Sequence, residues 1–204
     1  MITIVDYGSG NIDAFVNIYK RLNIPCEVAK SPEEILKAEK LVLPGVGAFD
    51  ETMRILKNSG MIEALNKQVL ENKVPVIGIC VGMQILANRS DEGELEGLGW
   101  INAEVKKFDV ATLTQKPHLP HMGWNTFQQE KESPILAELA PEKGFYFLHT
   151  YYFSCENQSD ILTSTVYGEK YTSAVNNENI YGVQFHPEKS HGNGVQLLKN
   201  FANL

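Results

Sequence analysis

Cysteine is scarce in this 204-residue chain: there are three, Cys26, Cys80 and Cys155. An odd number without metal-ligand spacing supports neither a disulfide framework nor a zinc site, and it suits a reducing compartment, so a cytoplasmic location is expected. Positive charge is also short. Eighteen Lys and Arg stand against 25 Asp and Glu, a formal net charge of −7, which argues against nucleic acid or an anionic membrane as partner. No apolar run is long enough to span a bilayer, and the chain enters a strand at Ile2 with no basic and apolar leader before it, so neither a membrane segment nor export is expected. Repeats, linkers and low-complexity stretches are missing as well. With 43% hydrophobic content, residues 1–204 can bury a full core as one domain.

What the chain does have is strand-helix alternation over its first ~90 residues. Short β-rich runs at Ile2–Asp6, Cys26–Ala29, Leu41–Leu43 and Val76–Ile79 alternate with helical periods through Phe15–Tyr19 and Met61–Leu70. This pattern predicts an α/β fold with a mostly parallel central sheet and helices on both faces. Ser31-Pro32-Glu33-Glu34 marks a helix start, with a capping hydroxyl, Pro at the first helical position and acids in the first turn. After Gly97 the runs become short, aromatic and turn-rich: Ile101–Phe108, His121–Phe127, Phe145–Tyr152, Ile161–Tyr167, Tyr171–Val175 and Ile180–Phe185. These read as added antiparallel strands in the C-terminal half, closed by a helix over Gly194–Ala202.

One pentapeptide carries chemistry. Gly78-Ile79-Cys80-Val81-Gly82 joins the apolar run Val74–Ile77 to the helix-like Met83–Ala87, which puts a cysteine on a tight strand-to-helix turn where the helix N-terminus favours a thiolate. Its flanking glycines are expected to let backbone and substrate approach. A nucleophile needs a base, and Phe185-His186-Pro187-Glu188 supplies one together with an acid to orient it. In an extended segment residues i and i+2 share a face, so Glu188 is expected beside His186. Backbone donors for an oxyanion are expected at Val81, just after the nucleophile, and near Val46 or Gly47 in the glycine-rich loop after Leu41–Leu43. The other histidines read as structural: His118 and His121 in a turn around Pro120, His149 among aromatics, His191 at the start of the last helix. Tyr7-Gly8-Ser9-Gly10-Asn11 lacks a third glycine where Asp13 stands, so it is a turn before a helix and not a dinucleotide loop.

These segments, with Leu43–Phe49, His121-Met122-Gly123-Trp124-Asn125 and His149-Thr150-Tyr151, make the chain resemble the class I (triad-type) glutamine amidotransferases over nearly its whole length. Within them it is similar to the glutaminase subunits of imidazole glycerol phosphate synthase. The resemblance implies that Cys80 attacks the side-chain amide of L-glutamine, that His186 is acid and base, and that Glu188 orients it. It implies that Gln84 and Glu92 hold the α-amino and α-carboxylate end, helped by backbone at Gly47, Thr150 and Tyr151. It implies a (β/α)8 synthase subunit docked as a heterodimer, with Asn11, Tyr146 and Lys189 at the interface and Trp124 lining the ammonia route, and a reorientation of Pro44–Gly47 as the switch. No cofactor or metal is implied. Residues 109–118, 154–166 and 190–194 depart from the usual pattern, which also fits a paralogue supplying ammonia to a sugar amidotransferase. A free-standing γ-glutamyl hydrolase and a redox-sensing thiol protein are rival readings of the same cysteine.

Overall fold

The computed structural model describes residues 1–114 and 118–204; part of the atypical segment at 109–118 therefore lies outside the described residues. The first half runs β1 (Ile2–Val5), α1 (Ile12–Arg21), β2 (Cys26–Ala29), α2 (Pro32–Ile35), β3 (Leu41–Gly45), α3 (Phe49–Asn58), α4 (Ile62–Asn66), β4 (Val76–Cys80) and α5 (Val81–Gln84). The second half adds β5 (Arg89–Ser90), β6 (Ala103–Lys107), β7 (His121–Asn125), β8 (Gln128–Gln129), β9 (Phe145–His149), β10 (Tyr151–Cys155), β11 (Ile161–Tyr167), β12 (Glu169–Asn177), β13 (Ile180–Val183) and α6 (His191–Ala202).

The main sheet follows the order β2-β1-β3-β4-β13-β12-β10-β6-β5. Its first five strands are parallel, and β1, β3, β4 and β13 are buried along their whole length, as strands covered on both faces must be. The chain crosses from β1 out to β2 and back past β1 to β3, so right-handed crossovers place α1 and α2 on opposite faces. Antiparallel pairing begins at β13–β12 and continues through β12–β10 and β10–β6, as the aromatic second half predicts. Strands β7 and β9 form a separate antiparallel pair.

Several elements differ from expectation for local reasons. Helix α3 is absent from the sequence reading, although Phe49, Met53 and Leu56 form its buried stripe. The helix predicted over Met61–Leu70 becomes α4 followed by a π turn at Lys67–Glu71. The single strand predicted over Phe145–Tyr152 breaks at Thr150, so β9 and β10 enter different sheets. His121 is not in a turn. It opens β7, buried, with its ring stacked 4.0 Å from Tyr167 and 4.8 Å from Phe147. Helix α6 begins at His191, the residue expected to open it, and so runs one turn further back than the Gly194–Ala202 span. Among the described residues no helix is long and apolar enough to cross a membrane.

Candidate active site

Strand β4 ends on Cys80 and α5 begins at the next residue, which forces Cys80 to φ 56° and ψ −112°. A non-glycine residue held there costs about 1–3 kcal/mol and persists only where the surroundings fix it. The surroundings here are glycines in close contact. A Cβ on Gly82 would lie 2.0 Å from the Leu43 carbonyl oxygen, and one on Gly78 would lie 2.4 Å from the Gly82 oxygen. The two flanking glycines therefore let α5 press onto β3 and β4, the close backbone approach expected of them.

The expected base, His186, comes from the neighbouring strand. β13 pairs in parallel with β4, Val183 opposite Ile79, and three residues later His186 reaches the same sheet edge. Its backbone is pinned to β9: the His186 N–H donates to Tyr146 O at 2.9 Å, and the Ser190 hydroxyl donates to His186 O at 2.6 Å while accepting from Tyr146 N–H at 2.9 Å. Pro187–Lys189 is a 3-10 turn rather than an extended segment, and that turn brings the Glu188 carboxylate to 2.8 Å from His186 Nδ1. Both side chains are nearly sealed from solvent, at 4% and 3% exposure. Burial by itself would lower the imidazole pKa, but the hydrogen bonds and charges of Cys80 and Glu188 outweigh it and push the value up to about 9. The raised value favours the protonated imidazole, which has a proton to give.

A cavity of about 300 Å³ opens over Cys80, within the size range of small-ligand sites. Val46, Gly47, Val81, Gln84, Glu92, Thr150, Tyr151, His186 and Lys189 all line it. The break in the chain at Thr150 is what turns Thr150 and Tyr151 into this wall. Glu92 is held by α3: its carboxylate accepts the Phe49 N–H at 2.8 Å, an anion at a helix N-terminus.

A family model for glutamine amidotransferase class-I matches residues 3–204. The chain belongs to the class-I glutamine amidotransferase family. An imidazole glycerol phosphate synthase subunit HisH from Bdellovibrio bacteriovorus is 52% identical over the full length of both chains. One from Leptospira borgpetersenii is 48% identical, again over the full length of both. A crystal structure described as a glutamine amidotransferase superposes with a TM-score of 0.73 at 17% identity, covering 100% of this chain and 99% of that one, which shows the fold.

In this glutamine amidotransferase the remaining expected residues fall into three places. Tyr146 and Trp124 form an aromatic ledge beside the cavity, with ring centroids 6.4 Å apart and the Lys189 ammonium 5.9 Å from the Tyr146 ring. Trp124 also stacks on His191 at 5.3 Å. Asn11 stands apart, exposed at the start of α1 in a separate depression with Asp6 and Lys30. Val46 lines the cavity, but its N–H is committed elsewhere: it donates to Ser9 Oγ at 3.1 Å, and the Ser9 hydroxyl donates back to Val46 O at 3.2 Å. The Tyr7 hydroxyl also donates to Pro44 O at 2.6 Å. The glycine-rich turn at Tyr7–Asn11 is therefore a clasp on the Pro44–Gly47 loop, a role its resemblance to a phosphate loop conceals.

Sequence reasoning passed over two further groups. His149, read as structural, reaches the cavity wall and donates from Nδ1 to Tyr151 O at 2.8 Å. Its Nε2 lies 3.1 Å from His121 Nδ1 and 3.2 Å from the Tyr171 hydroxyl. Desolvation holds both rings neutral, lowering His121 to about 4 and His149 to about 3, the latter with a further contribution from His121. Gln184 is the second, fully buried beside Cys80. Neither had a local signal, since each acquires its neighbours from strands far away in sequence.

Proposed function

We propose that this chain, folded as one domain over residues 1–204, is the glutaminase subunit of an imidazole glycerol phosphate synthase and acts in the cytoplasm in histidine biosynthesis. It hydrolyses L-glutamine to glutamate and ammonia and passes the ammonia to a docked (β/α)8 synthase subunit. The observation that carries this reading is Cys80 on its strained turn beside the hydrogen-bonded His186–Glu188 pair, at a cavity of about 300 Å³, in a chain that matches the named synthase subunits from end to end.

The chemistry follows from the groups present. Cys80 attacks the glutamine carboxamide carbon as the thiolate, and the negative charge that develops on oxygen is received by the Val81 N–H, which as the first residue of α5 has no intrahelical acceptor. The second donor is the Val46 peptide, once released from Ser9. His186 gives its Nε2 proton to the leaving nitrogen, ammonia departs, and a γ-glutamyl thioester remains. Water then adds as His186 takes its proton, the thiolate leaves, and glutamate is formed. Glu188 stays ionised throughout and keeps Nδ1 protonated. Glu92 and Gln84 favour the substrate ammonium group by charge and by an amide oxygen. A sealed route through the ledge at Trp124 preserves ammonia as the free base, because ammonium has no lone pair with which to attack.

Glutamate release measured with and without a synthase barrel and its ligand tests the reading. Strong stimulation by the barrel, with Cys80 labelled by an electrophilic glutamine analogue, is expected. Cys80→Ala should keep the fold and partner binding, abolish glutamine-dependent synthesis and retain synthesis from added ammonium salts. Equal turnover by the isolated chain, unchanged by any barrel, would instead mark a free-standing γ-glutamyl hydrolase.

A further inference from the structure

Gln184 ends β13's approach to the active site with 0% exposure, between two elements that meet only in the folded state. One end of its side chain lies 3.9 Å from Cys80 Sγ and the other 3.0 Å from Gln84 Nε2. Which end is which can be deduced. The Tyr151 carbonyl can only accept, so the Gln84 atom 3.1 Å from it must be the amide nitrogen. That same nitrogen meets Gln184, which must therefore present its oxygen there and turn its own N–H toward the sulfur. His149 donates to the Tyr151 carbonyl as well, at 2.8 Å. The direction of every hydrogen bond from Tyr151 to Cys80 is thus determined.

The sulfur has a competing neighbour. Leu148 O lies 4.0 Å away and can accept only from the protonated thiol, so it favours S–H. An N–H donor favours the thiolate, by the same logic that makes hydrogen bonds to an ionised acceptor stronger than neutral ones. We infer that Gln184 is a thiolate-stabilising donor to Cys80, oriented by a relay from the Tyr151 carbonyl through Gln84. His186 and Gln184 then flank the sulfur together and oppose Leu148. The relay also ties nucleophile to substrate pocket: Gln84 spends both amide hydrogens inside the protein and leaves only its oxygen for a ligand, the polarity an α-ammonium group requires.

This inference rests on the reading of Cys80 as nucleophile, but its test does not need glutamine turnover. Carboxamidomethylation by iodoacetamide, followed on the Cys80 peptide of the full chain, reads thiolate reactivity directly. Gln184→Met keeps the side-chain length and removes the donor; alkylation at pH 7 should slow by about tenfold, with the gap closing at alkaline pH where the sulfur ionises unaided. Gln84→Leu leaves Gln184 in place but frees its amide to turn, and should slow alkylation by a smaller factor, about threefold. In the stimulated enzyme Gln184→Met should lower kcat with KM within twofold of the parent. Alkylation of a folded Gln184→Met chain within twofold of the parent at every pH overturns the inference. If Gln184→Met does not fold, unchanged alkylation in Gln84→Leu overturns it equally. Glutamine turnover retained in Cys80→Ala would overturn the proposed function, a separate result.

Discussion

Ser9→Ala is expected to raise the glutaminase activity of the isolated chain. The Ser9 hydroxyl holds both peptides that flank Val46, accepting the Val46 N–H at 3.1 Å and donating to the Val46 carbonyl at 3.2 Å, and in that orientation the N–H is unavailable to an oxyanion on the substrate. The rest of the loop has little freedom to compensate. Pro44 is tied to the Tyr7 hydroxyl, and a Cβ on Gly45 would lie 2.4 Å from the Gly82 nitrogen, so Gly45 is wedged against α5. Gly47 is the opposite case: φ is +97° and no atom lies within 4 Å of the place its Cβ would take. Movement is confined to the two peptides that flank Val46, Gly45–Val46 with its N–H and Val46–Gly47 with its carbonyl, and the Val46 side chain is half-exposed and able to turn in water. Two neutral hydrogen bonds at about 1 kcal/mol each make the clasp worth about 2 kcal/mol, or about a 30-fold bias toward the resting orientation. Removing it should raise the partner-free kcat for glutamate release by about 10- to 30-fold and leave the fully stimulated rate within a factor of about two, because a docked partner already selects the turned state. The assay is glutamate release at saturating glutamine, with and without the synthase subunit, on protein with an unchanged melting transition. An unchanged partner-free rate in a folded Ser9→Ala chain would refute the clasp.

Other outcomes follow from the same geometry. Glu188→Gln replaces the carboxylate 2.8 Å from His186 Nδ1 with a neutral amide; the stimulated kcat should fall by about 100- to 10,000-fold while KM for glutamine changes little, and a loss below tenfold would contradict the orienting role. Stability should decline in acid. His121 and His149 bind protons less readily in the fold than in the unfolded chain, so the unfolded state takes up more protons once the pH drops below the ordinary histidine value of 6.5, and the folded state loses ground continuously toward pH 4. Urea midpoints across that window measure it, and His121→Phe, which keeps the ring between Phe147 and Tyr167, should flatten the slope. His186 acts in the opposite sense: its raised value contributes stability that is full below 6.5 and lost as the pH rises through about 9.

The sequence by itself determined the parallel half of the fold, because four short apolar runs alternating with amphipathic helices have few other ways to bury both faces of their strands. It also pointed to the proposed nucleophile, since a cysteine at a glycine-flanked strand-to-helix junction and a His-Pro-Glu segment are local patterns with chemical meaning. Helix α3 was equally legible in the spacing of Phe49, Met53 and Leu56. What sequence could not supply were contacts between segments far apart in the chain. That the turn at Pro187, rather than extended backbone, brings Glu188 to His186 depends on Ser190 and Tyr146 pinning the loop. That Thr150 breaks a strand to form the pocket wall depends on which sheet each half joins. That Ser9 clasps Val46 and Gln184 faces Cys80 depends on residues 37 and 104 positions apart converging on one sheet edge. The proposed catalytic groups belong to local patterns that can be read along the chain; the surroundings of those groups are made of long-range hydrogen bonds that exist only once the sheet has formed.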